Sequence, residues 1–186
     1  MATRNFEAAL EHVLKSEGGY VNDKRDPGGE TNMGISKRSY PSENIKGMTR
    51  KRAGEIYRRD FWNAVRGDEL PSGVDLAVFD AAVNSGPVRA IKWLQAALEV
   101  PQDGIFGAIT QTALRQVSPE QVINRVCVHR LAFMQRLGTW PVYGKGWQSR
   151  VDRVREAAID MVGPEPDQRQ DWIALIIEAL LGLWKK

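Results

Sequence analysis

The sequence lacks the residues that would build a disulfide framework or a zinc site. Its 186 residues include one cysteine, Cys127, so no internal disulfide can form, and synthesis in a reducing compartment is expected. His12 and His129 are the only histidines, and neither belongs to a cluster with the ligand spacing of a zinc site. Both are interpreted as structural or surface residues, which argues against a zinc-dependent amidase or peptidase.

The sequence also shows neither the features of a secretory signal nor those of a nucleic-acid-binding module. The opening segment MATRNFEAALEHVLKS is interrupted by acids and has no apolar run before a small-residue cleavage site. The net charge of +3 is mildly basic, and cationic runs such as RKR at 50–52 have acids nearby, as on a solvated helix face. We therefore expect synthesis in the cytoplasm and no nucleic-acid partner.

The pattern that is present is mostly helical. Apolar residues recur with a helical period from Phe6 to Leu14, with Asn5 as the candidate N-cap and Gly18–Gly19 as the stop. The turn-rich stretch at 20–36 predicts a small β-hairpin or an irregular loop. Later helices are predicted to start after Thr49, at Pro71, at Pro87 and at Ser118-Pro119, with connecting loops at PQDGIFG and TWPVYGKG.

The C-terminal segment differs from the rest of the chain. GPEPDQRQ predicts a linker, and the following residues 171–186, DWIALIIEALLGLWKK, predict a helix with one narrow polar stripe. The apolar run is shorter than the roughly 20 residues that a transmembrane helix needs. Two interpretations stay open: the helix lies in a membrane interface, or it docks on the domain or on another copy of itself.

Glu17 is the first candidate for chemistry. It continues the inward apolar stripe of the first helix into its last turn, where partial burial and the negative end of the helix dipole both raise a carboxyl pKa. A carboxyl that keeps its proton near neutral pH suits a general acid. The alternative is a helix-end glutamate that reaches solvent over Gly18.

Asp26 and Thr31 follow Glu17 in a loop that can fold back beside the helix end. Glycoside hydrolysis needs an acid and a second group across the bond, and in an inverting enzyme the two carboxyls are roughly 6.5–9.5 Å apart. Asp23 and Glu30 compete with Asp26 for the second role. Asp26 is also an ideal turn opener, and Thr31 either orients water or is an ordinary strand residue.

Two motifs carry a resemblance to a known family. EGGY at 17–20 and DPGGETNMGIS at 26–36 resemble the signature of the glycoside hydrolase family 108 N-acetylmuramidases, many of which are phage endolysins. The spacing also resembles the Glu–Asp–Thr arrangement of the T-even phage lysozymes, although this chain has one residue fewer between Asp and Thr. MTRKRAGEIYRRDFWNAV and LAVFDAAVNSGPVRAIKWLQAAL are similar to later helices of the family, so the resemblance covers about residues 5–162.

The resemblance implies a predominantly α, lysozyme-like fold with a small β-hairpin or loop insertion near residues 20–36. It implies cleavage of the β-1,4 bond between N-acetylmuramic acid and N-acetylglucosamine, with no metal or cofactor. Glu17 would act as the general acid, and Asp26 and Thr31 would position the water. QDGIFGAIT resembles the turn of peptidoglycan-binding helical modules, although such a turn also suits a plain helix connection.

The same resemblance suggests how the chain is organised. We expect a lysozyme-like catalytic part at 1–86, a peptidoglycan-binding-like helical part packed on it at 87–163, a linker at 164–170 and an amphipathic tail helix at 171–186. Tyr20, Asp80 and Asn84 are candidate substrate-binding residues. Asp80 and Asn84 lie one helical turn apart, so they could line the cleft, or they could form hydrogen bonds between helices.

The expected partners are peptidoglycan glycan strands and, through residues 171–186, an outer-membrane lipid surface. The protein is expected to be a monomer that is made in the host cytoplasm and reaches periplasmic peptidoglycan after release through a holin. Two alternatives remain open. A lytic transglycosylase would use Glu17 as acid and then base, without Asp26, and a non-enzymatic wall-binding or membrane-active protein would act through its tail.

Overall fold

The computed structural model describes residues 2–22 and 29–163, and it confirms a predominantly α fold with a small β insertion. A π-helical turn at Arg58–Trp62 continues the second helix, and a 3-10 turn follows at Gly67–Glu69. The regular elements are α1 (Ala2–Ser16), β1 (Thr31–Asn32), β2 (Ile35–Ser36), α2 (Arg50–Tyr57), α3 (Val74–Ser85), α4 (Pro87–Ala97), α5 (Ala108–Leu114), α6 (Pro119–Gln135) and α7 (Trp140–Val162).

The β insertion is a short antiparallel hairpin. β1 and β2 pair with Thr31 opposite Ser36. The two residues between the strands, Met33 and Gly34, have φ angles of 49° and 74°, and positive φ at both positions is typical of a type I′ hairpin turn. Val21 exchanges two backbone hydrogen bonds with Thr31, of 2.8 and 2.9 Å, which ties the segment after α1 to the hairpin.

Most helix starts lie where the sequence predicts them. Thr49 Oγ1 accepts a hydrogen bond from the Arg52 backbone N–H at 3.1 Å, as an N-cap does. Ser118 caps α6 and Pro119 takes its first position, while Pro87 is the first residue of α4. Proline fits there because the N–H groups of the first turn have no intrahelical partner.

Three local predictions differ from the structure. The helix predicted to start at Pro71 begins three residues later, at Val74. α1 begins at Ala2, so Asn5 lies inside the helix, and its side-chain Nδ2 donates to Asp75 Oδ2 at 2.8 Å instead of capping. TWPVYGKG is not a loop, because α7 begins at Trp140 and includes it. Trp140 of this segment packs on the core, as does Trp147 just after it, and that packing stabilises a helix despite the unfavourable propensity of its glycines.

Helix α3 lies at the centre of the molecule and contacts α1, α4, α6 and α7. All of its residues from Val74 to Ala82 are buried. The buried residues form one cluster that extends from Phe6 in α1 to Ala158 in α7. The division into parts at residues 1–86 and 87–163 stays a prediction, and the core is continuous across that boundary.

The predicted linker at 164–170 and tail helix at 171–186 lie outside the described residues. Within residues 2–22 and 29–163, no helix is both long enough and apolar enough to cross a membrane.

Candidate active site

Glu17 lies directly after the last residue of α1, and its backbone N–H donates to the Leu14 carbonyl at 3.2 Å. The stripe of α1 that precedes it is buried, at Phe6, Leu10 and Val13. The Glu17 side chain is 20% exposed, so its carboxylate is shielded by the protein but open to solvent on one side. This is the half-shielded position that the helical stripe predicts.

Arg150 holds one oxygen of this carboxylate. Its Nη1 donates to Glu17 Oε1 at 2.8 Å, across 133 residues of sequence. The other side of the same guanidinium binds Asp80, with Nη2 and Nε donating to Asp80 Oδ1 at 2.8 and 3.1 Å. One planar cation therefore bridges two carboxylates, a geometry that suits the fixed fork of N–H donors in arginine.

Asp80 is fully buried in α3. Its Oδ2 also accepts from Arg130 Nη1 of α6 at 2.6 Å. Burial disfavours the charged form, but the guanidinium groups of Arg130 and Arg150 outweigh it and hold the pKa of Asp80 below its usual value. The carboxylate of Asp80 therefore does not form the surface of a cleft. It has the interhelix hydrogen-bonding role, the second of the two that the sequence left open.

The hairpin turn closes the other side of Glu17. A Cβ at Gly34 would lie 2.7 Å from Glu17 Oε2 and would overlap the Tyr57 hydroxyl. That hydroxyl donates to the Met33 carbonyl at 2.8 Å. Burial raises the pKa of Tyr57 and the Glu17 carboxylate raises it further, so the phenol keeps its proton. Glu17 thus lies between the hairpin turn and α7.

The remaining predicted site residues are Thr31, Asn84, Tyr20 and Asp26. Thr31 is half-buried in β1, and Asn84 is exposed near the end of α3; among the described residues, neither forms a hydrogen bond with Glu17. Tyr20 is exposed, and its hydroxyl donates to Glu30 Oε1 at 3.1 Å. Asp26 lies outside the described residues, so its role stays a prediction.

His12 and Cys127 do not form a site of their own. His12 is half-buried in α1. Burial lowers its pKa, and this effect exceeds that of the nearby Asp80 carboxylate, which raises the pKa. Cys127 is buried, which raises the pKa of its thiol to about 11, so it is not a candidate nucleophile near neutral pH. The described residues contain no group of three or more His, Cys, Asp or Glu side chains placed to hold a metal ion.

The QDGIFGAIT motif is held together by buried Gln95 of α4. Gln95 Nε2 donates to Asp103 Oδ1 at 2.6 Å and to Thr110 Oγ1 at 3.2 Å, while its Oε1 accepts from the Gly104 N–H at 2.8 Å. Gly104 has φ of 80°, a conformation that favours glycine. In these contacts the motif acts as a helix connection, the plainer of the two interpretations given for it.

Sequence reasoning missed Arg150 and Arg130. Both lie among buried neighbours: Arg150 precedes Val151 and Val154, and Arg130 follows Cys127 by three residues. A charged residue on an inward helical stripe is the signal that identified Glu17, and the same test applied to α6 and α7 would have found both arginines.

Comparisons with known proteins show the family of this chain. The sequence matches the family model described as Glycosyl hydrolase 108 over residues 10–86, a range that includes Glu17, Tyr57 and Asp80 but not Arg150. The solved structure of Brucella abortus SagA is similar, with 43% sequence identity, a TM-score of 0.79, and coverage of 88% of this chain and 98% of that chain. No curated protein matches the chain. The family expected from the sequence is confirmed: the chain belongs to glycosyl hydrolase family 108 and is a peptidoglycan-degrading glycosidase.

Proposed function

We propose that this protein is an N-acetylmuramidase that hydrolyses the β-1,4 bond between N-acetylmuramic acid and N-acetylglucosamine. Glu17 is the proposed general acid, and Asp26 and Thr31 position the attacking water. The observation that carries the proposal is the orientation of the Glu17 carboxyl group. Arg150 holds Oε1, whereas no described residue donates a hydrogen bond to Oε2, which faces the hairpin turn at Gly34.

In the proposed reaction, the proton on Glu17 passes to the bridging oxygen as the bond from the anomeric carbon to that oxygen breaks. Water attacks the anomeric carbon from the opposite face and gives a proton to Asp26. Negative charge develops on Glu17 as its proton leaves, and the Arg150 guanidinium already points at it. Arg150 is the proposed positioning residue, and Asp80 and Arg130 fix its orientation.

Glu17→Gln is the direct test on purified peptidoglycan. The amide keeps the shape of the side chain but has no acidic proton, so we expect the release of reducing ends to fall by roughly 100- to 10,000-fold, the usual contribution of general acid catalysis. The matched control is Glu11→Gln on the exposed face of the same helix, which should retain the parental rate. Parental activity in Glu17→Gln would remove Glu17 from the mechanism.

The products separate hydrolysis from the alternatives. Mass spectrometry of the digest should find reducing N-acetylmuramic acid ends, whereas anhydro ends would identify a lytic transglycosylase. In the same series, Asp26→Asn should lower the rate strongly with little change in melting temperature. A large loss of stability with little loss of rate would instead assign Asp26 the role of a turn opener.

We also propose that the protein is a phage endolysin. It would be made in the host cytoplasm, act on periplasmic peptidoglycan after release through a holin, and contact outer-membrane lipid through residues 171–186. The resemblance of its motifs to a family rich in endolysins supports the first part. The apolar face of residues 171–186, with Trp172, Trp184 and the terminal lysines, supports the second.

A further inference from the structure

Three aromatic side chains form a cluster in the first two turns of α7. The rings of Trp140 and Trp147 have centroids 6.2 Å apart, and Tyr143 stacks on Trp147 with centroids 5.8 Å apart and planes 29° apart. A Cβ at Gly144 would lie 2.6 Å from the Trp140 ring, so this glycine lets the indole lie against the helix. Trp140 and Trp147 pack on the core, whereas Tyr143 is 56% exposed.

Helix geometry directs this cluster toward Glu17. Tyr143 and Arg150 are seven residues apart on α7, so they project from the same face, with Trp147 between them on the side toward the core. Arg150 is the residue that binds Glu17. The exposed ring of Tyr143 therefore lies on the flank of α7 that carries the candidate active site, about 10.5 Å along the helix axis from Arg150.

We infer that Tyr143, supported by Trp147, is a sugar-stacking subsite for the glycan strand. The C–H groups on the face of a pyranose ring carry partial positive charge, and the face of an aromatic ring is negative, so the two surfaces attract. The spacing from Arg150 is comparable to the length of a disaccharide, which places the stacked sugar about two residues from the cleaved bond. This inference rests on the proposed function of the Glu17 site.

The surroundings of Tyr143 favour a glycan over a protein or a lipid surface. Apart from Pro141 and Val142, the nearby exposed residues on α7 are polar or small: Lys145, Gly146, Gln148 and Ser149. A second copy of the chain or a membrane would need a broad apolar patch. A single supported ring on the same flank of the protein as a partly exposed carboxylate is instead typical of a saccharide site, where aromatic residues provide area and a few polar groups provide orientation.

The test measures binding by calorimetry in the full chain carrying Glu17→Gln, so that cleavage does not consume the ligand. The probes are a tetrasaccharide and a disaccharide of alternating N-acetylglucosamine and N-acetylmuramic acid. Adding Tyr143→Ala should weaken tetrasaccharide binding by roughly 3- to 10-fold, the size of one aromatic contact, and leave disaccharide binding unchanged. Tyr143→Phe keeps the ring and should bind within about 2-fold of the parent.

Val142→Ala is the matched control, because Val142 is the neighbouring residue, is 74% exposed and projects about 90° around the helix axis from the Tyr143–Arg150 face. It should leave both affinities unchanged, with circular dichroism confirming the fold of each variant. Equal tetrasaccharide affinity in Tyr143→Ala and its parent would overturn the subsite. So would a Tyr143→Ala effect confined to self-association in sedimentation or to binding of anionic lipid vesicles. These results stay separate from the Glu17 assignment, because they measure binding and not turnover.

Discussion

At the scale of single residues, Gly34 decides how closely the hairpin turn can approach Glu17. Its φ of 74° is a conformation that costs most residues energy, and the space beside it is filled by Glu17 Oε2 and the Tyr57 hydroxyl. A side chain at this position would be strained twice, once in the backbone and once against the candidate acid. Gly29 has a similar φ of 70°, but the nearest atom to its Cβ position is Lys37 Cβ at 3.9 Å.

This pair of glycines gives a matched test. Gly29→Ala should lower the free energy of unfolding by about 1 kcal/mol, the cost of the left-handed backbone alone. Gly34→Ala should lower it further and should also displace the Glu17 carboxylate, so its rate on purified peptidoglycan should fall by at least about 10-fold. Denaturant unfolding and reducing-end release measure the two effects. Equal rates in the two variants would show that the Gly34 contact does not position Glu17.

Residue-scale prediction worked where the signal was local. The buried stripe of α1 predicted that Glu17, directly after the helix, would be partly shielded, because residues 3 and 4 apart share a helix face. It did not indicate which groups would face that carboxylate. Arg150 reaches Glu17 from a helix that starts more than one hundred residues later, and only the packing of α7 against α3 creates that contact.

At the scale of elements, ion pairs between acidic and basic side chains connect four helices. Glu17 after α1, Arg150 in α7, Asp80 in α3 and Arg130 in α6 form one continuous chain of hydrogen bonds. Asp80 and Arg130 are nearly inaccessible, at 0% and 1% exposed. A buried charge without its partner is costly, so each of these helices depends on the others for the pairing of its charge.

The chain of charges predicts a pH dependence of stability. The pKa of Asp80 is lowered in the folded protein, so its contribution is fully present above the ordinary carboxyl range and is lost as the pH falls from about 4 toward the folded value. Asp80→Asn should lower the free energy of unfolding at pH 7 by about 3 kcal/mol, because Arg130 stays buried with its counter-charge removed. Between about pH 4 and pH 2, stability should then fall less steeply in Asp80→Asn than in the parent.

Chemical denaturation across this pH range provides the measurement. The control is Asp160→Asn, at an exposed position of α7, which should follow the parental curve. If the free energy of unfolding fell equally steeply with pH in the parent and in Asp80→Asn, another carboxylate would be responsible for the loss of stability in acid.

At the scale of the whole molecule, one core supports every part of the candidate site. The core residues extend from Phe6 to Ala158, and the Glu17–Arg150 contact joins the two ends of that range. All of these residues lie within 1–163, and the proposed membrane contact lies outside it, at 171–186. Catalysis and access to the wall can therefore be separated by truncation.

We expect residues 1–163 to fold and to hydrolyse purified peptidoglycan at the rate of the full chain. The full chain should kill intact Gram-negative cells from outside more efficiently, because only it carries the apolar face proposed to bind outer-membrane lipid. Expressed inside a host, the full chain should lyse cells only with a holin. Equal killing by both lengths would contradict the role of residues 171–186, and lysis without a holin would contradict the proposed release.

Most of the helices, the hairpin and the resemblance to the family can be recognised from the sequence alone. Helical periodicity, capping residues and the EGGY and DPGGETNMGIS motifs are local signals, because hydrogen bonds within a turn or a helix span only a few residues. Local signals failed at the start of α7, where aromatic packing overrides the loop propensity of TWPVYGKG. The burial of Asp80 and the contact of Arg150 with Glu17 follow from how the helices pack, which no local pattern specifies. The energy of a buried charge depends on which partner the fold brings to it, and that partner lies far away along the chain.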